Sequence, residues 1–368
     1  MVRTLHVIDK ELPSSKARQT LRLTRALREL SCESVVCSLS TNEVERTRLG
    51  ELFGSERVVF CPQHSRFDPT FLARFGRVVR EQKPDVIHYC GSPNLPLWIA
   101  SQFNGTLPLI ANLTSELSVA KFGWKLLHKR WNSTSIRIVS DYRTSWSNVV
   151  VAPGISPPLS CVPEGTKSLR EELNVGEDAK LLAVKSDLLK TNDGKDLIWG
   201  LDCLRVLHPD CLLVFFGEGR DEAELRDYAE RASTDSNVVR FIPPSIKADI
   251  WLEQCDCFWN ADSHSNLNSI LEAMRCGLPV VAADVPESRS VIVDGETGFL
   301  VPQRDSAEFA RRTNILFQDP LLAESVRDSA SSRIESSHRI DQMARNYFAV
   351  YQEQIQLRSI KTAANRVA

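Results

Sequence analysis

Three stretches of this 368-residue chain carry residue types and spacings suited to a charged, polyhydroxylated ligand. In "SNLNSILEAMRCGLPVVAAD" a helix is expected to begin near Asn268 or Ser269, both good N-cap types. A helix start offers unpaired backbone N–H groups and a partial positive charge, which suits an anion such as a diphosphate. Glu272 follows about one turn in. A carboxylate there either accepts two hydrogen bonds from a ribose diol, as acidic residues do in dinucleotide folds, or merely complements the helix dipole. In "AVKSDLLKTNDGK", Lys185 closes a strand and Lys190 follows in a loop. Two cations at a strand's carboxyl end suit a phosphate-bearing leaving group; solvated loop lysines are the alternative. "FFGEGRDEAEL" sets Gly217 and Gly219 between a strand and a helix, where a missing side chain admits a ligand or makes a tight turn.

Other features are weaker. Ser14 and Ser15 precede a helix in "DKELPSSKARQ", where they cap it and could also face a ligand. Residues 120–131, "AKFGWKLLHKRW", mix five basic side chains with Phe, Trp and Leu. They read as an interfacial membrane helix or as an ordinary surface helix with snorkelling side chains. No Asp-x-Asp occurs, so bound phosphates would be neutralised by fixed cations and helix dipoles rather than by a metal held by such a pair. The ten cysteines are scattered, without a CxxC or a His pair at ligand spacing, and several sit in apolar runs such as "CLLVFF". They read as small buried hydrophobes in a reducing cytoplasm, with no metal site.

The elements that must position these residues alternate. "TLHVID", "SVVCSL", "RVVF", "DVIHY", "LPLIANL", "IRIVS" and "NVVVAP" are strand-like. Leu23, Ala26, Leu27 and Leu30 share a helical face between the first two. The alternation restarts after a proline-rich stretch with "KLLAVKS", "CLLVFFGEG", "NVVRFI", "DCFWNA" and "LPVVAAD". The tail from about Pro320 is helical, with Ile340, Met343, Tyr347 and Tyr351 in a stripe. Strands alternating with helices predict α/β, doubly wound sheets. The length predicts two domains: residues 1–155, a linker at 156–168, a second domain at 169–335, and a helix at 336–368 returning to the first. A ligand is expected in a cleft at the carboxyl ends of the strands. The composition is 42% hydrophobic and 25% charged with a formal net charge of -2, which gives no basic surplus for nucleic acid. No apolar run approaches the ~18 residues of a membrane span.

One ordered run is more specific than any of its parts. "HSNLNSILEAMRCGLPVVAADVPESRSVIVDGETGFLVPQRD", with the upstream "LLVFFGEGRDEAELRDYAERA", resembles the nucleotide-sugar-binding domain of the retaining GT-B glycosyltransferases of family 4. The likeness is looser in the first half, in "LHVIDKELPSSKARQTLRLTRALREL" and "KPDVIHY". The resemblance implies two Rossmann-like domains facing a central cleft. It implies transfer of a sugar, with retention, from a nucleotide-diphosphate sugar to an unknown glycan or lipid-linked acceptor, in the cytoplasm or at the inner face of the membrane. No cofactor beyond the donor is implied.

Residue by residue, Glu272 matches the ribose-binding carboxylate, and the amides of Asn268, Ser269, Ile270 and Leu271 match the diphosphate-cradling helix start. Lys185 and Lys190 match an Arg and a Lys on the donor phosphates; an ungapped reading would put Asp187 and Asn192 there. Gly217 and Gly219 match the glycine turn beside the nucleotide, and the backbone near Ile242 matches the segment near the base. The departures are His264 in place of the carboxylate that contacts the donor sugar, Lys185 in place of arginine, and Ser14 and Ser15 in place of glycines. A carboxylate only accepts hydrogen bonds, whereas an imidazole can donate. His264 therefore implies altered sugar recognition, weakened catalysis, or a protein that binds without turnover.

Overall fold

In the computed structural model of the chain, the described residues are 1–9, 14–54, 57–65, 68–91, 107–113, 136–140, 149–155, 167–186, 188, 194–219, 221–232, 237–243, 250–261 and 267–367. Lys190, His264, Asp187, Asn192, the basic stretch 120–131 and most of the proline-rich linker lie outside them. The chain divides into two compact units, Met1–Gly154 with Ile340–Ala368, and Ile155–Arg339.

The first unit runs β1 (Val2–Ile8), α1 (Ser14–Glu29), β2 (Cys32–Ser38), α2 (Glu43–Phe53), β3 (Val58–Phe60), α3 (Pro69–Gln82), β4 (Val86–Gly91), β5 (Leu109–Leu113), β6 (Ile136–Ser140) and β7 (Val149–Val150). Its sheet has the order β3-β2-β1-β4-β5-β6-β7, and every pairing is parallel. Parallel strands need helices on both faces, and Leu5, Val7, Ile87 and Ile110 are accordingly sealed off on both sides. Ser14 and Ser15 open α1.

The second unit contains α4 (Leu169–Leu173), β8 (Lys180–Lys185), α5 (Gly194–Arg205), β9 (Cys211–Phe216), α6 (Glu222–Ala232), β10 (Val239–Ile242), β11 (Cys257–Asn260), α7 (Leu267–Arg275), β12 (Val280–Ala283), α8 (Pro286–Val291), β13 (Phe299–Val301), α9 (Ser306–Gln318) and α10 (Pro320–Ser337). The order β10-β9-β8-β11-β12-β13 is again all parallel. Numbered within the unit it reads 3-2-1-4-5-6, the Rossmann order, whose reversal between the first and fourth strands opens a crevice at their carboxyl ends. Those strands are β8 and β11. The core beneath is dense. Trp259 is fully buried against Phe309 and donates its indole N–H to Thr313 Oγ1 at 2.7 Å.

Three details differ from the sequence reading. The helical tail is two helices, and α10 continues through Ser337. The chain then passes through His338, whose carbonyl accepts from Ile155 N at 2.8 Å while Arg339 bridges Ile155, before α11 (Ile340–Val367) begins. The stretch after β12, to which the sequence reading gave no helix, forms α8, with Pro286 in its first turn. The short strand β13 was not read at all.

Helix α11 belongs to the first unit. Its Met343, Tyr347 and Tyr351 close over Leu23 and Leu27 of α1 and over Val86 and Ile110 of the sheet. Two polar bonds lie within this apolar seam. Tyr351 Oη meets His88 Nδ1 at 2.7 Å, and Asn112 Nδ2 donates to Tyr347 Oη at 2.9 Å. The His6 ring lies 5.2 Å from that of His88, tilted by 55°.

Burial lowers His88 from its ordinary 6.5 to about 3. Burial, and then His88, holds His6 well below its ordinary value. Both are neutral when folded and take up a proton when unfolded at mildly acid pH. Their contribution is therefore complete above about pH 6.5 and is lost as pH falls towards 3. Urea denaturation from pH 7 to 4.5 should show stability level down to about pH 6.5 and then falling, with a slope that approaches about 1.4 kcal/mol per pH unit for each histidine. His88→Gln should remove one histidine's share of that slope while lowering stability at pH 7.

Candidate functional site

The carboxyl ends of β8, β9 and β10 are laced together by their own backbone. Ser186 N donates to Phe216 O at 3.2 Å and Gly217 N to Ile242 O at 2.9 Å. Leu188 takes a left-handed φ of 45° and is buried, which costs backbone energy for a non-glycine residue. Ser186 Oγ, which accepts from Leu188 N, and Leu188 O, which accepts from Asp221 N, hold that conformation.

A side chain at Gly217 would place Cβ 1.7 Å from the Ser186 carbonyl oxygen. The close approach that requires this glycine is thus to the protein's own chain. Gly219 opens α6, its carbonyl accepting from Glu222 N at 3.2 Å. Ile242 is fixed by the bond its carbonyl makes to Gly217.

Helix α7 begins at Leu267, so Asn268 and Ser269 lie inside its first turn rather than capping it. A helix's first turn presents N–H groups outside its own ladder, and Leu267 to Ile270 are the first described residues of α7. Every residue from Leu267 to Met274 is buried. A helix apolar or enclosed all round belongs in a core, and this one packs against α8 and α10. It ends where Gly277 turns left-handed at φ 71°, with Leu278 N donating to Ala273 O and Gly277 N to Met274 O. That is a Schellman stop, and it fixes the helix's axial position.

Glu272 lies on the face of α7 towards β8, and Lys185 is the last residue of β8. Lys185 Nζ meets Glu272 Oε2 at 2.6 Å, with the two side chains only 8% and 4% exposed. The structure therefore joins the two charged residues that the sequence had assigned separately to phosphate and ribose. An ion pair taken out of water is held by its mutual attraction against a large desolvation cost.

Two polar residues that the sequence reading passed over sit beside the pair. Asn260 closes β11 and is buried, and its Oδ1 finds no hydrogen-bond partner among the described residues. With Ser186 and Lys185 it lines a pocket whose other walls include Leu188, Leu197 and Leu225. The signal for Asn260 was a polar residue ending the otherwise apolar strand "CFWN", in the strand that faces β8 across the topological switch.

The later motif "DGETGFL" makes a turn that feeds β13. Gly295 N donates to Gly298 O at 2.8 Å, and Asp294 Oδ1 accepts from Leu300 N at 2.9 Å. The nine described cysteines are free thiols, and burial pushes Cys211, Cys257 and Cys276 up to about 12. Such thiols stay protonated and inert. No helix among the described residues is long and apolar enough to cross a membrane.

Solved structures share this architecture. The Anabaena HepE protein in complex with UDP and glucose superposes with a TM-score of 0.76 at 18% identity, over 96% of this chain and 100% of that one. A glycosyltransferase from Rickettsia africae gives 0.75 at 14%, over 96% and 98%. At these identities the likeness establishes the fold, the α/β GT-B class built of two Rossmann-like units.

Within the chain, residues 190–319 match the model of the family described as Glycosyl transferases group 1, a stretch that includes β11 and α7. Among curated proteins, the chain is 29% identical to EpsD of Bacillus subtilis over 52% of its length and 51% of that protein's. It is 25% identical to the D-inositol 3-phosphate glycosyltransferase of Pseudarthrobacter chlorophenolicus over 56% and 50%. It is 28% identical to the phosphatidyl-myo-inositol mannosyltransferase of Mycobacterium leprae over 70% and 71%. The chain spans about half the length of the first two of these relatives.

Breaking a buried pair from one side leaves the other charge uncompensated, which costs about 3–5 kcal/mol. Lys185→Met and Glu272→Gln should each destabilise the chain by an amount approaching that range in urea melts. The double variant should recover most of the loss. Additive losses would show that the two side chains do not depend on each other.

Proposed function

We propose that the chain is a glycosyltransferase that moves a sugar, with retention, from a nucleotide-diphosphate sugar to a glycan or lipid-linked acceptor, without a metal. The observation that carries this reading is the buried first turn of α7 beside the carboxyl ends of β8 and β11, with Glu272 fixed against Lys185. The match of residues 190–319 to the glycosyl transferases group 1 model supports it, as does the fold shared with a neighbour that holds UDP and glucose.

On this reading the first-turn amides of α7 and Lys190 take up the charge that develops on the departing diphosphate. Glu272 accepts from the ribose diol. The acceptor oxygen bonds to the anomeric carbon on the face from which the diphosphate leaves. The bond from that carbon to the diphosphate breaks, and a diphosphate oxygen takes the acceptor's proton. The absence of any Asp-x-Asp pair supports a metal-free version. We assign residues 120–131 to contact with an anionic membrane surface, on the strength of their interleaved basic and aromatic side chains.

A second reading is a protein that binds the nucleotide sugar without turnover. His264, in place of a carboxylate at the donor sugar, favours it.

Calorimetric titration with UDP-, GDP- and ADP-sugars should find one donor that binds, and incubation with acceptors should release the nucleotide. Binding without release under any acceptor would favour the second reading, and no binding at all would overturn both. Glu272→Ala should weaken the donor by at least about tenfold, the worth of charge-assisted hydrogen bonds. Replacing Lys125, Lys129 and Arg130 together should lower partitioning onto anionic liposomes, and unaltered partitioning would remove the membrane assignment.

A further inference from the structure

The resemblance that placed Lys185 on the donor phosphates does not account for where its ammonium lies. It sits 2.6 Å from Glu272 Oε2, on a side chain only 8% exposed. We infer that Lys185 is a positioning residue for Glu272 and through it sets the selectivity for the ribose hydroxyls, rather than a ligand of the diphosphate. This rests on the proposed nucleotide-sugar reading.

To hold two adjacent hydroxyls, a carboxylate has to be ionised, because only then are both oxygens free to accept. Glu272 is buried, and burial favours the protonated acid. A nucleotide diphosphate brings further negative charge nearby, which works in the same direction. A single cation in contact with the carboxylate offsets both effects.

Lys185 is that cation, and its place is set by the fold. It ends β8, whose register against β9 is continuous from Lys180 to Lys185. Behind it, Ser186 Oγ accepts from Leu188 N and Leu188 O from Asp221 N. On the other side, the Schellman stop at Gly277 sets the axial position of α7 and hence of Glu272. Were Lys185 to leave Glu272 for a phosphate, the buried carboxylate would lose the cation it meets at 2.6 Å, a costly outcome for a buried pair. The diphosphate is left to the first-turn amides of α7, which need no side chain.

The two roles predict different losses. The experiment uses the full chain and the base found to bind best. It measures the affinity of the nucleoside, the nucleoside diphosphate and the 2′-deoxynucleoside diphosphate for wild type, Lys185→Met, Lys185→Arg and the charge-neutral double variant Lys185→Met/Glu272→Gln. Wild type should prefer the ribose form by about tenfold or more, the scale of hydrogen bonds to a charged group. Lys185→Met and the double variant should lose that preference and keep the gain in affinity that the diphosphate confers over the nucleoside. Lys185→Arg should restore the preference, which a merely structural role would not require.

If Lys185→Met folds too poorly to assay, the double variant, which leaves no unpaired charge but also lacks the Glu272 carboxylate, is read by the diphosphate gain alone: a kept gain supports the inference and a lost gain overturns it. In Lys185→Met, a preserved ribose preference or a lost diphosphate gain likewise overturns the inference and returns Lys185 to the phosphates. Failure of wild type to bind any nucleotide is a different result and overturns the proposed function together with the inference.

Discussion

One buried ion pair ties the second unit's sheet to its central helix. Lys185 and Glu272 come from distant parts of the chain, one at the end of β8 and the other inside α7, and meet at 2.6 Å. Neither could occupy its place alone, since an uncompensated charge at that depth is among the most destabilising changes a core can suffer. The surrounding devices serve the meeting. The Schellman stop at Gly277 ends α7 at a fixed point, and Leu188 takes its left-handed φ just beyond Lys185. Gly217 lets the loop after β9 lie against the Ser186 carbonyl, where a Cβ would intrude to 1.7 Å.

The pair works because of where the topology puts it. Both units wind their strands outward from a central pair, β1 with β4 and β8 with β11, and all pairings are parallel. The carboxyl ends of β8 and β11 therefore flank the topological switch, where such folds open a crevice. Lys185, Ser186 and Asn260 line a pocket there. The first unit spends its buried polar groups differently. His88, Tyr351, Asn112 and Tyr347 bind the C-terminal helix α11 to its sheet. Hydrogen bonds inside an apolar seam add direction to a contact that apolar burial alone would leave free to slide.

Much of this was legible in the sequence. All strands but β13 stood out as apolar runs, because parallel strands covered on both faces have no polar side to interrupt them. The stripe of Met343, Tyr347 and Tyr351 marked the face that α11 turns to α1. What stayed hidden has physical reasons. Strand β13 comes directly out of the Asp294–Gly298 turn, whose turn-forming residue types hid the short apolar run after it, and α8 starts at a proline in a stretch rich in turn-forming residues. Asn268 and Ser269 looked like caps because their types suit that position, but the helix begins one residue earlier. Gly217 signalled close approach without saying to what. The meeting of Lys185 and Glu272 could not be read at all, since neither residue type nor spacing reports a contact between elements so far apart along the chain. Only the strand order brings them together.

The charge balance of the proposed site bears on the His264 substitution. A pocket for a diphosphate is penalised by every net negative charge near it. Glu272 adds little to that penalty, because Lys185 neutralises it within the fold. In the family pattern this sequence resembles, a second carboxylate stands at the position of His264. On the proposed reading an imidazole there would remove one negative charge from the donor's surroundings and supply a group that can donate a hydrogen bond. The exchange would leave the α7 amides to hold the diphosphate, and its effect would fall on the sugar, whose hydroxyls would lose a partner that only accepts. Affinity for the nucleotide would then be separable from recognition of the sugar it carries, with the Lys185–Glu272 pair serving the first.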